Sequence, residues 1–424
     1  MHLYVKSLLF VLLMPSTAIF GQDKPFQCTL VGEVIDRPYS DELLFIKEDE
    51  DQRISSISIP IVNGTFTYTF TADYIESYTL SFKDEYIEGT WRPQVFFAEQ
   101  DTLHMTLYPQ DKALHNQIKG GEVNAQLMHY QDQAEALFGL RSLDEEEERL
   151  KETGMYLTPK AQALLKEIEA ASTNEVRDSL ARIGRQLQTE QKDLTPAARE
   201  NRALFEKQFL AWIAWKADQV ITNPSLITYR DLLMLLRMAD ASYDRPLPIA
   251  VGDLLASYEQ HYQPQYADHP YTRQADFFLT ALNTIKKGGK YIDFSAPDFE
   301  GRTVTLSEHI QGKYALINFW ASWCGPCRRK GKELISIYEE FKDRGFEVIA
   351  IAREQNREAG IQAAKADQYP WLNLLEINDK QNIWKRYGLG NSGGGVFLVD
   401  REGEILAISP TADEVRTVLL DRLD

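Results

Sequence analysis

Two cysteines separated by two residues, Cys324 and Cys327, are the side chains in this sequence best placed to do chemistry. They follow the apolar run 314–320, which predicts a buried strand, and they precede a predicted helix. At the start of a helix, unpaired backbone N–H groups and the helix dipole stabilise an anion. Such sites lower a thiol pKa from about 8.5 to roughly 7 or below, so Cys324 is predicted to be nucleophilic. Gly325 and Pro326 suit the turn and the first helical residue.

Other interpretations of this cysteine pair have less support in the sequence. Structural zinc normally takes four ligands, and no second cysteine pair or nearby histidine follows at ligand spacing, so no metal site is predicted. A purely structural disulfide would not need Trp323 beside it or a strand-to-helix junction. An inherited motif that has lost its activity stays open. Exchange between thiols and disulfides needs no organic cofactor, and none is predicted.

The composition narrows the classes of partner. A net charge of −17, from 63 acidic and 46 basic residues, argues against nucleic acid, which is bound through clustered Lys and Arg. The acidic run 144–148 is interpreted as the solvated face of a helix. The third cysteine, Cys28, alternates with Phe26 and Leu30 and is predicted to be a small buried hydrophobic residue.

Residues 1–21 have the pattern of a signal peptide. Lys6 is followed by the apolar run 7–14, and small residues offer cleavage sites shortly afterwards. The apolar run is too short for an ordinary transmembrane helix, and no later segment reaches eighteen uninterrupted apolar residues. The sequence therefore predicts export to the cell envelope, in a periplasm-like space, with no stable membrane span after cleavage.

The mature chain is predicted to have three parts: an all-β sandwich over 24–118, a helical domain or linker over 119–288, and an α/β domain over 289–424. Alternating β-branched and aromatic residues in the first part predict strands at 27–34, 42–46, 54–59, 65–70, 78–82, 94–97 and 102–107. The second part has helical periodicity at 161–170, 202–215 and 226–237. Its aromatic stripe is interpreted as core or interdomain packing, with a hydrophobic cofactor groove as the alternative: Phe205, Phe209, Trp212 and Trp215.

In the third part, predicted helices alternate with strands of a mixed sheet. The predicted strands are 314–320, 346–352, 372–376, 396–400 and 404–408. The predicted helices are 325–344, 356–367, 380–387 and 412–423.

The residues around the cysteines resemble the thioredoxin superfamily, and within it the TlpA/ResA-like branch. The resemblance is carried by Phe294–Ser307, Ile317–Arg328, Phe346–Ile351 and Val396–Ile405. It implies a thioredoxin fold, protein disulfides as substrates, a membrane or periplasmic redox partner, and a setting similar to cytochrome c biogenesis. In this branch Cys324 attacks the substrate and Cys327 resolves the intermediate. The first part, more weakly, resembles an all-β domain of unknown function from Bacteroidota envelope proteins.

Two departures from the family pattern concern the active site. The family has Glu where this chain has Lys330, so Lys330 and Arg328 are expected to favour the thiolate, while Trp323 shields and shapes the site. The family also has a cis-proline loop facing the cysteines, and this chain has three glycines there, Gly393 to Gly395. Without proline the loop is expected to stay trans or flexible, because a cis bond then costs about 2.5–4 kcal/mol.

The glycines affect the expected docking of substrate. In the family the loop pairs with the incoming peptide as an added strand. Gly393 and Gly394 can still offer backbone groups, but ordering them costs roughly 1–2 kcal/mol per residue, so weaker binding is expected. A Gly394→Pro change is expected to raise turnover.

The sequence thus predicts a thiol–disulfide oxidoreductase acting on exported proteins. A redox-inactive binding or scaffold protein with the same fold is the alternative from another class. A peroxidase is disfavoured: peroxiredoxins share the Ala296–Phe299 start but need Thr or Ser three residues before the nucleophile and Pro seven before it. Here those positions hold Ala321 and Ile317.

Overall fold

The chain forms a strand-rich part, a helical part and an α/β part in that order, which confirms the predicted fold class. The computed structural model describes residues 24–90, 92–239 and 247–423, and the predicted signal peptide at 1–21 lies outside them. Across these described ranges, no helix combines the length and apolar character that a bilayer crossing requires.

The first part is a sandwich of two four-stranded sheets. Its elements are β1 (Phe26–Val34), β2 (Glu42–Lys47), α1 (Gln52–Ser55), β3 (Ile57–Pro60), β4 (Thr65–Ala72), β5 (Ser77–Phe82), α2 (Lys83–Glu88), β6 (Gln94–Phe97), β7 (Thr102–Leu107) and β8 (Gln117–Lys119). The strand orders are β4-β1-β7-β8 and β3-β2-β5-β6. Side chains from both sheets form one core that includes Cys28, which is fully buried as predicted. Burial raises the pKa of the Cys28 thiol to about 11, so this thiol is a packing group.

One predicted strand of the sandwich is wrong at its start. The sequence predicts a strand over 54–59, but the structure has the short helix α1 followed by β3. Asp51 caps the helix, since its side chain accepts a hydrogen bond from the Arg53 backbone N–H at 3.0 Å. The cap satisfies a helical N–H group and so favours a turn of helix over an extended chain. The connection between β2 and β3 therefore contains a turn of helix.

The second part is built from helices whose starts are mostly marked by capping residues. They are α3 (Glu122–Phe138), α4 (Leu140–Glu152), α5 (Pro159–Ala170), α6 (Asn174–Thr189), α7 (Pro196–Thr222), α8 (Leu226–Met238), α9 (Val251–Ser257), α10 (Gln263–Gln265) and α11 (Pro270–Thr284). Thr158 and Thr195 each cap a helix that begins with proline. Phe209 and Trp212 pack against the helical core, and Trp215 stacks on Tyr130 with ring centroids 4.7 Å apart. The packing role of the aromatic stripe is confirmed for these three residues.

The third part centres on a five-stranded mixed sheet. Its elements are β9 (Ser295–Pro297), β10 (Thr303–Thr305), α12 (Leu306–Ile310), β11 (Tyr314–Trp320), α13 (Gly325–Phe341), β12 (Phe346–Glu354), α14 (Arg357–Asp367), β13 (Leu372–Ile377), α15 (Ile383–Arg386), β14 (Gly395–Val399), β15 (Ile405–Ile408) and α16 (Ala412–Leu423). The order is β13-β12-β11-β14-β15, with a separate β9–β10 hairpin. The predicted helix over 380–387 is shorter than expected, because only Ile383–Arg386 is helical.

The sheet brings two distant parts of the sequence to one edge. Strand β11 is parallel to β12 and antiparallel to β14, and Phe319 lies opposite Gly395. The carboxyl end of β11 and the amino end of β14 therefore meet at the same place. The cysteine motif follows the first, and the glycine-rich loop precedes the second.

One buried carboxyl in this sheet predicts a pH dependence of stability. Glu376 on β13 accepts a hydrogen bond from the Gln381 N–H at 2.7 Å, and burial raises the pKa of Glu376 from 4.5 to about 7. Between these values the folded chain binds more protons than the unfolded chain, so its stability falls as pH rises. Between pH 4.5 and 7 the free energy of unfolding is expected to fall by on the order of 2 kcal/mol, and Glu376→Gln is expected to remove this fall. Thermal unfolding of both proteins from pH 4 to 8 measures this, and parallel curves would contradict it.

Candidate active site

The cysteine pair lies at the junction between β11 and α13. Cys324 is the residue that caps α13, and its Sγ accepts a hydrogen bond from the Cys327 N–H at 3.3 Å. Pro326 lies in the first turn of the helix. The two cysteines form a disulfide, with Cα atoms 5.3 Å apart. The site is thus an oxidised couple at a helix amino terminus, where a thiolate released by reduction would be stabilised.

The two cysteines have different surroundings. Cys324 is the more buried of the two, at 9% exposure, whereas Cys327 is half-buried and packs against the core beneath α13. Trp323, next to Cys324, is 45% exposed. One face of its ring is covered by the guanidinium of Arg53, whose central carbon lies 3.3 Å from the ring centroid. Arg53 belongs to the β-sandwich, and nothing in the local sequence pattern pointed to it.

The glycine-rich loop, residues 390–395 and called here the triglycine loop, lies directly against the disulfide. A Cβ atom at Gly393 would lie 2.6 Å from the Sγ of Cys324 and 3.3 Å from that of Cys327. Real Cβ atoms do not approach sulfur so closely, so this contact requires glycine. No peptide bond within the described ranges is cis, which confirms the expected trans backbone of the loop.

Gly394 is held against the end of β11. A Cβ atom there would lie 1.9 Å from the carbonyl oxygen of Phe319. This backbone therefore has no room for proline, and the expected gain from Gly394→Pro is corrected: the change would displace the loop.

The two cations after the motif, Arg328 and Lys330, both have hydrogen-bond partners, and one partner of Arg328 is the Ser322 carbonyl oxygen beside the motif, at 3.3 Å. Arg328 donates to the Asp367 carboxylate at 2.6 and 3.0 Å, and Lys332 lies 2.9 Å from the same group. Burial acts to raise the pKa of the Asp367 carboxyl group, but these hydrogen bonds hold that pKa below its usual range. Lys330 donates to the carbonyl oxygen of Ser409 at 3.1 Å, and burial lowers the pKa of its ammonium group. Asp367 thus balances the charge of Arg328, whereas Lys330 donates to a neutral acceptor, and the expectation that the two residues favour the thiolate stays a prediction.

Glu354, at the end of β12, is a site residue that sequence reasoning missed. Its carboxyl group accepts hydrogen bonds from the Ser322 N–H at 2.6 Å and from the Ser322 hydroxyl at 2.7 Å. Burial raises the pKa of Glu354. Gly360 on α14 leaves room for it, because a Cβ atom there would lie 3.2 Å from Glu354 Cγ. The contact fixes the turn that leads into Trp323 and Cys324. The available signal was a pair of charged residues, Arg353 and Glu354, directly after the predicted apolar strand 346–352.

Arg353, the preceding residue, was also missed, and it organises the triglycine loop. Its side chain is almost fully buried, at 2% exposure. The guanidinium pairs with the Asp379 carboxylate and donates to the carbonyl oxygens of Gly390 at 3.2 Å and Ser392 at 3.4 Å. The backbone of the loop is thus tied to the end of β12, next to the strand that carries the cysteine motif.

The site has no arrangement suited to a metal ion. Of the residues that the structure describes, no three His, Cys, Asp or Glu side chains come together as a group that could hold one.

Comparison with known proteins divides the chain in a similar way. Residues 288–408 match the model of the AhpC/TSA family. Residues 28–127 match a domain of unknown function, DUF4369. The two matches cover the part of the chain that holds the cysteine motif and the part that holds Arg53.

Individual relatives align with the last third of the chain. The thiol-disulfide oxidoreductase ResA of Bacillus anthracis is 29% identical over 129 residues, which are 30% of this chain and 72% of that protein. ResA of Halalkalibacterium halodurans is 28% identical over 138 residues, 32% of this chain and 76% of that protein. Among solved structures, the thioredoxin domain of a thiol-disulfide oxidoreductase from Bacteroides vulgatus is 26% identical, with a TM-score of 0.31, and covers 33% of this chain and 99% of that one.

Proposed function

We propose that this chain exchanges disulfides of exported proteins through Cys324 and Cys327. Its carboxyl-terminal domain is a TlpA/ResA-like domain of the thioredoxin superfamily, and its relatives are named thiol-disulfide oxidoreductases. One observation carries the proposal: the two sulfur atoms form a disulfide at the amino terminus of α13, and the backbone of the triglycine loop lies against them at Gly393, which has no side chain. The first gives a stabilised nucleophile and the second a place for an extended substrate.

The exchange proceeds in two displacements. The Cys324 thiolate attacks one sulfur of a substrate disulfide, which forms a mixed disulfide and releases the other substrate sulfur as a thiolate. The Cys327 thiolate then attacks Cys324 Sγ, which forms the 324–327 disulfide seen here and releases the second substrate thiol. One substrate disulfide is reduced by two electrons, and the enzyme couple is oxidised by two. A separate dithiol must restore it.

The neighbouring residues orient the substrate. Trp323 is exposed beside Cys324 and offers an apolar surface to the peptide flanking the disulfide. Gly393 and Gly394 offer backbone N–H and C=O groups for pairing with an extended peptide. Gly325 and Pro326 keep the turn between the cysteines short, so that Cys327 stays within reach of Cys324.

The proposed location is the cell envelope, in the periplasm. The predicted signal peptide supports it, as does the resemblance of the first part of the sequence to a domain of Bacteroidota envelope proteins. In that setting the electrons come from a membrane or periplasmic redox partner, in a role similar to cytochrome c biogenesis. No organic cofactor takes part in the two displacements.

Reduction of insulin tests the proposed function. The full mature chain, supplied with dithiothreitol as electron donor, is expected to precipitate insulin B chain well above the uncatalysed rate. A variant with Ser at both 324 and 327 is expected to match the blank. A wild-type rate equal to that of the double variant would favour the redox-inactive scaffold instead.

The reduction potential of the 324–327 couple then gives the direction of electron flow. A potential of about −270 mV indicates a reductant, and a potential of about −120 mV indicates an oxidant.

A further inference from the structure

A loop of the β-sandwich lies against the active site of the carboxyl-terminal domain. This loop, called here the 49–53 segment, runs from the end of β2 into α1. It contacts both walls of the cysteine site, Trp323 on one side and the triglycine loop on the other. Arg53 and Trp323 are 270 positions apart in the sequence, so the contact is a property of the folded chain.

The first contact is with Trp323. The Arg53 guanidinium stacks on the indole ring at 3.3 Å from its centroid, and Gln355, one residue beyond β12, donates a hydrogen bond to the Arg53 carbonyl oxygen. A planar guanidinium on an aromatic face restricts the ring while leaving its other face free. Asp51 holds the guanidinium in place with hydrogen bonds of 2.8 and 2.5 Å.

The second contact runs through Arg353. Asp51 is buried, and one of its oxygens lies 3.2 Å from the Arg353 guanidinium. Burial opposes ionisation, but hydrogen bonds from Arg53 and the nearby charge of Arg353 hold the pKa of Asp51 below its usual range, so it is a carboxylate. Arg353 in turn binds the carbonyl oxygens of Gly390 and Ser392. Asp51 therefore acts on the triglycine loop through one buried cation.

The third contact is direct. Asn391 in the triglycine loop donates to the carbonyl oxygen of Glu50 at 3.0 Å, and Lys385 lies 3.4 Å from Asp49. Asn391 is exposed, so this hydrogen bond serves no core packing. Together the three contacts tie the 49–53 segment to every part of the loop that leads up to Gly393.

We propose that the 49–53 segment completes the active site by holding the triglycine loop and Trp323 in the positions from which a peptide disulfide is bound. The inference rests on the proposed function. Three consecutive glycines have no intrinsic conformational preference that would keep the loop against the disulfide. Arg353 ties the loop from within the domain, and the 49–53 segment supplies a second anchor from outside it. The β-sandwich is thereby a part of the enzyme, with Asp51 and Arg53 as positioning residues.

This arrangement predicts a separation between two kinds of substrate. A peptide disulfide uses the loop as a docking strand, so a loosened loop must be ordered during binding, which raises KM. A small disulfide such as hydroxyethyl disulfide meets only the sulfur atoms and does not use the loop. Loss of the anchor therefore lowers kcat/KM for the peptide and leaves the rate with the small disulfide unchanged.

The test uses the full mature chain with changes on both sides of the contact. Asp51→Ala and Arg53→Ala alter the β-sandwich. Asn391→Ala, at an exposed position, removes the contact with Glu50 from the loop side, together with a hydrogen bond that Asn391 accepts from Arg353 at 3.2 Å. Each is expected to lower kcat/KM for a peptide disulfide roughly tenfold, mainly through KM, with less than a twofold change for hydroxyethyl disulfide. Arg53→Lys, which keeps the charge but not the planar stack, is expected to recover only part of the loss.

Lys83→Ala is the matched control, because Lys83 pairs with Glu42 on the same sandwich at an exposed position. It is expected to leave both rates unchanged. Equal losses for peptide and small disulfide in the Asp51 and Asn391 variants would overturn the proposal, as would unchanged rates. A rise in the peptide rate would also overturn it, since the segment would then be an inhibitory latch.

Amide hydrogen exchange separates this proposal from the proposed function. Asp51→Ala is expected to speed exchange at residues 390–395 relative to wild type, whereas Lys83→Ala is not. If the wild type failed to reduce any disulfide, the proposed function would fall, and the exchange measurement would still decide whether the segment holds the loop. Unchanged exchange at 390–395 in Asp51→Ala would overturn the inference by itself.

Discussion

Replacing Cys327 with serine is expected to yield a chain that captures its substrates and does not release them. Cys324 keeps its place at the amino terminus of α13, so it still attacks a disulfide. The second displacement needs a sulfur at 327, and a serine hydroxyl is too weak a nucleophile toward sulfur. Mixed disulfides with substrate proteins, which dithiothreitol reduces, should therefore accumulate. The rate of insulin reduction should fall by about a thousandfold or more.

Non-reducing electrophoresis of envelope extracts and mass spectrometry of the trapped species measure this result. Cys324→Ser should lose the activity equally and trap almost nothing. Cys28→Ala is the matched control, because that thiol is buried in the β-sandwich and its raised pKa, about 11, keeps it protonated. Equal trapping by Cys324→Ser would reverse the assigned roles of the two cysteines.

Adding a side chain at Gly393 is expected to have the second largest effect. The Cβ of any substituent would lie 2.6 Å from Cys324 Sγ, so either the loop or the sulfur must move. A branched side chain enlarges the conflict, and displacement by an ångström of a group that positions substrate can lower a rate a hundredfold. Gly393→Val is therefore expected to lower kcat/KM for a peptide disulfide by about a hundredfold, with Gly393→Ala in between.

Gly252→Ala is the matched control for this series. Gly252 lies in helix α9, and a Cβ atom there meets nothing within 4 Å. It should leave turnover unchanged. If Gly393→Val kept the wild-type rate with peptide disulfides, the triglycine loop would have no part in docking, and the proposed binding mode would be wrong.

The two effects differ in what they leave intact. The cysteine changes remove the chemistry itself, so no substrate is turned over. The Gly393 change retains both cysteines and alters the surface beside them. Reaction with a small disulfide therefore separates them: it is lost in Cys324→Ser and largely retained in Gly393→Val.

The individual strands and helices could be predicted from the sequence, because each depends on the pattern of residues within one short segment of the chain. The run 314–320 followed by Cys324 and Cys327 predicts a strand, a turn and a helix, and those elements are β11 and α13 in the structure. Alternating residues predicted the strands of the sandwich, and helical periodicity predicted the helical part. These patterns are local because they reflect which side of one element faces the core.

The partners of the site residues depended on tertiary structure. Arg353 and Glu354 are adjacent in sequence, yet neighbouring residues of a strand point to opposite faces, and one reaches the triglycine loop while the other reaches Ser322. Arg328 and Lys330 are both cations in the sequence, but in the structure Arg328 pairs with the Asp367 carboxylate and Lys330 donates to the Ser409 carbonyl oxygen. The 49–53 segment reaches Trp323 only because the β-sandwich packs beside the α/β domain. Spacing along the chain fixes which residues share a face, whereas the packing of whole elements fixes what each face meets.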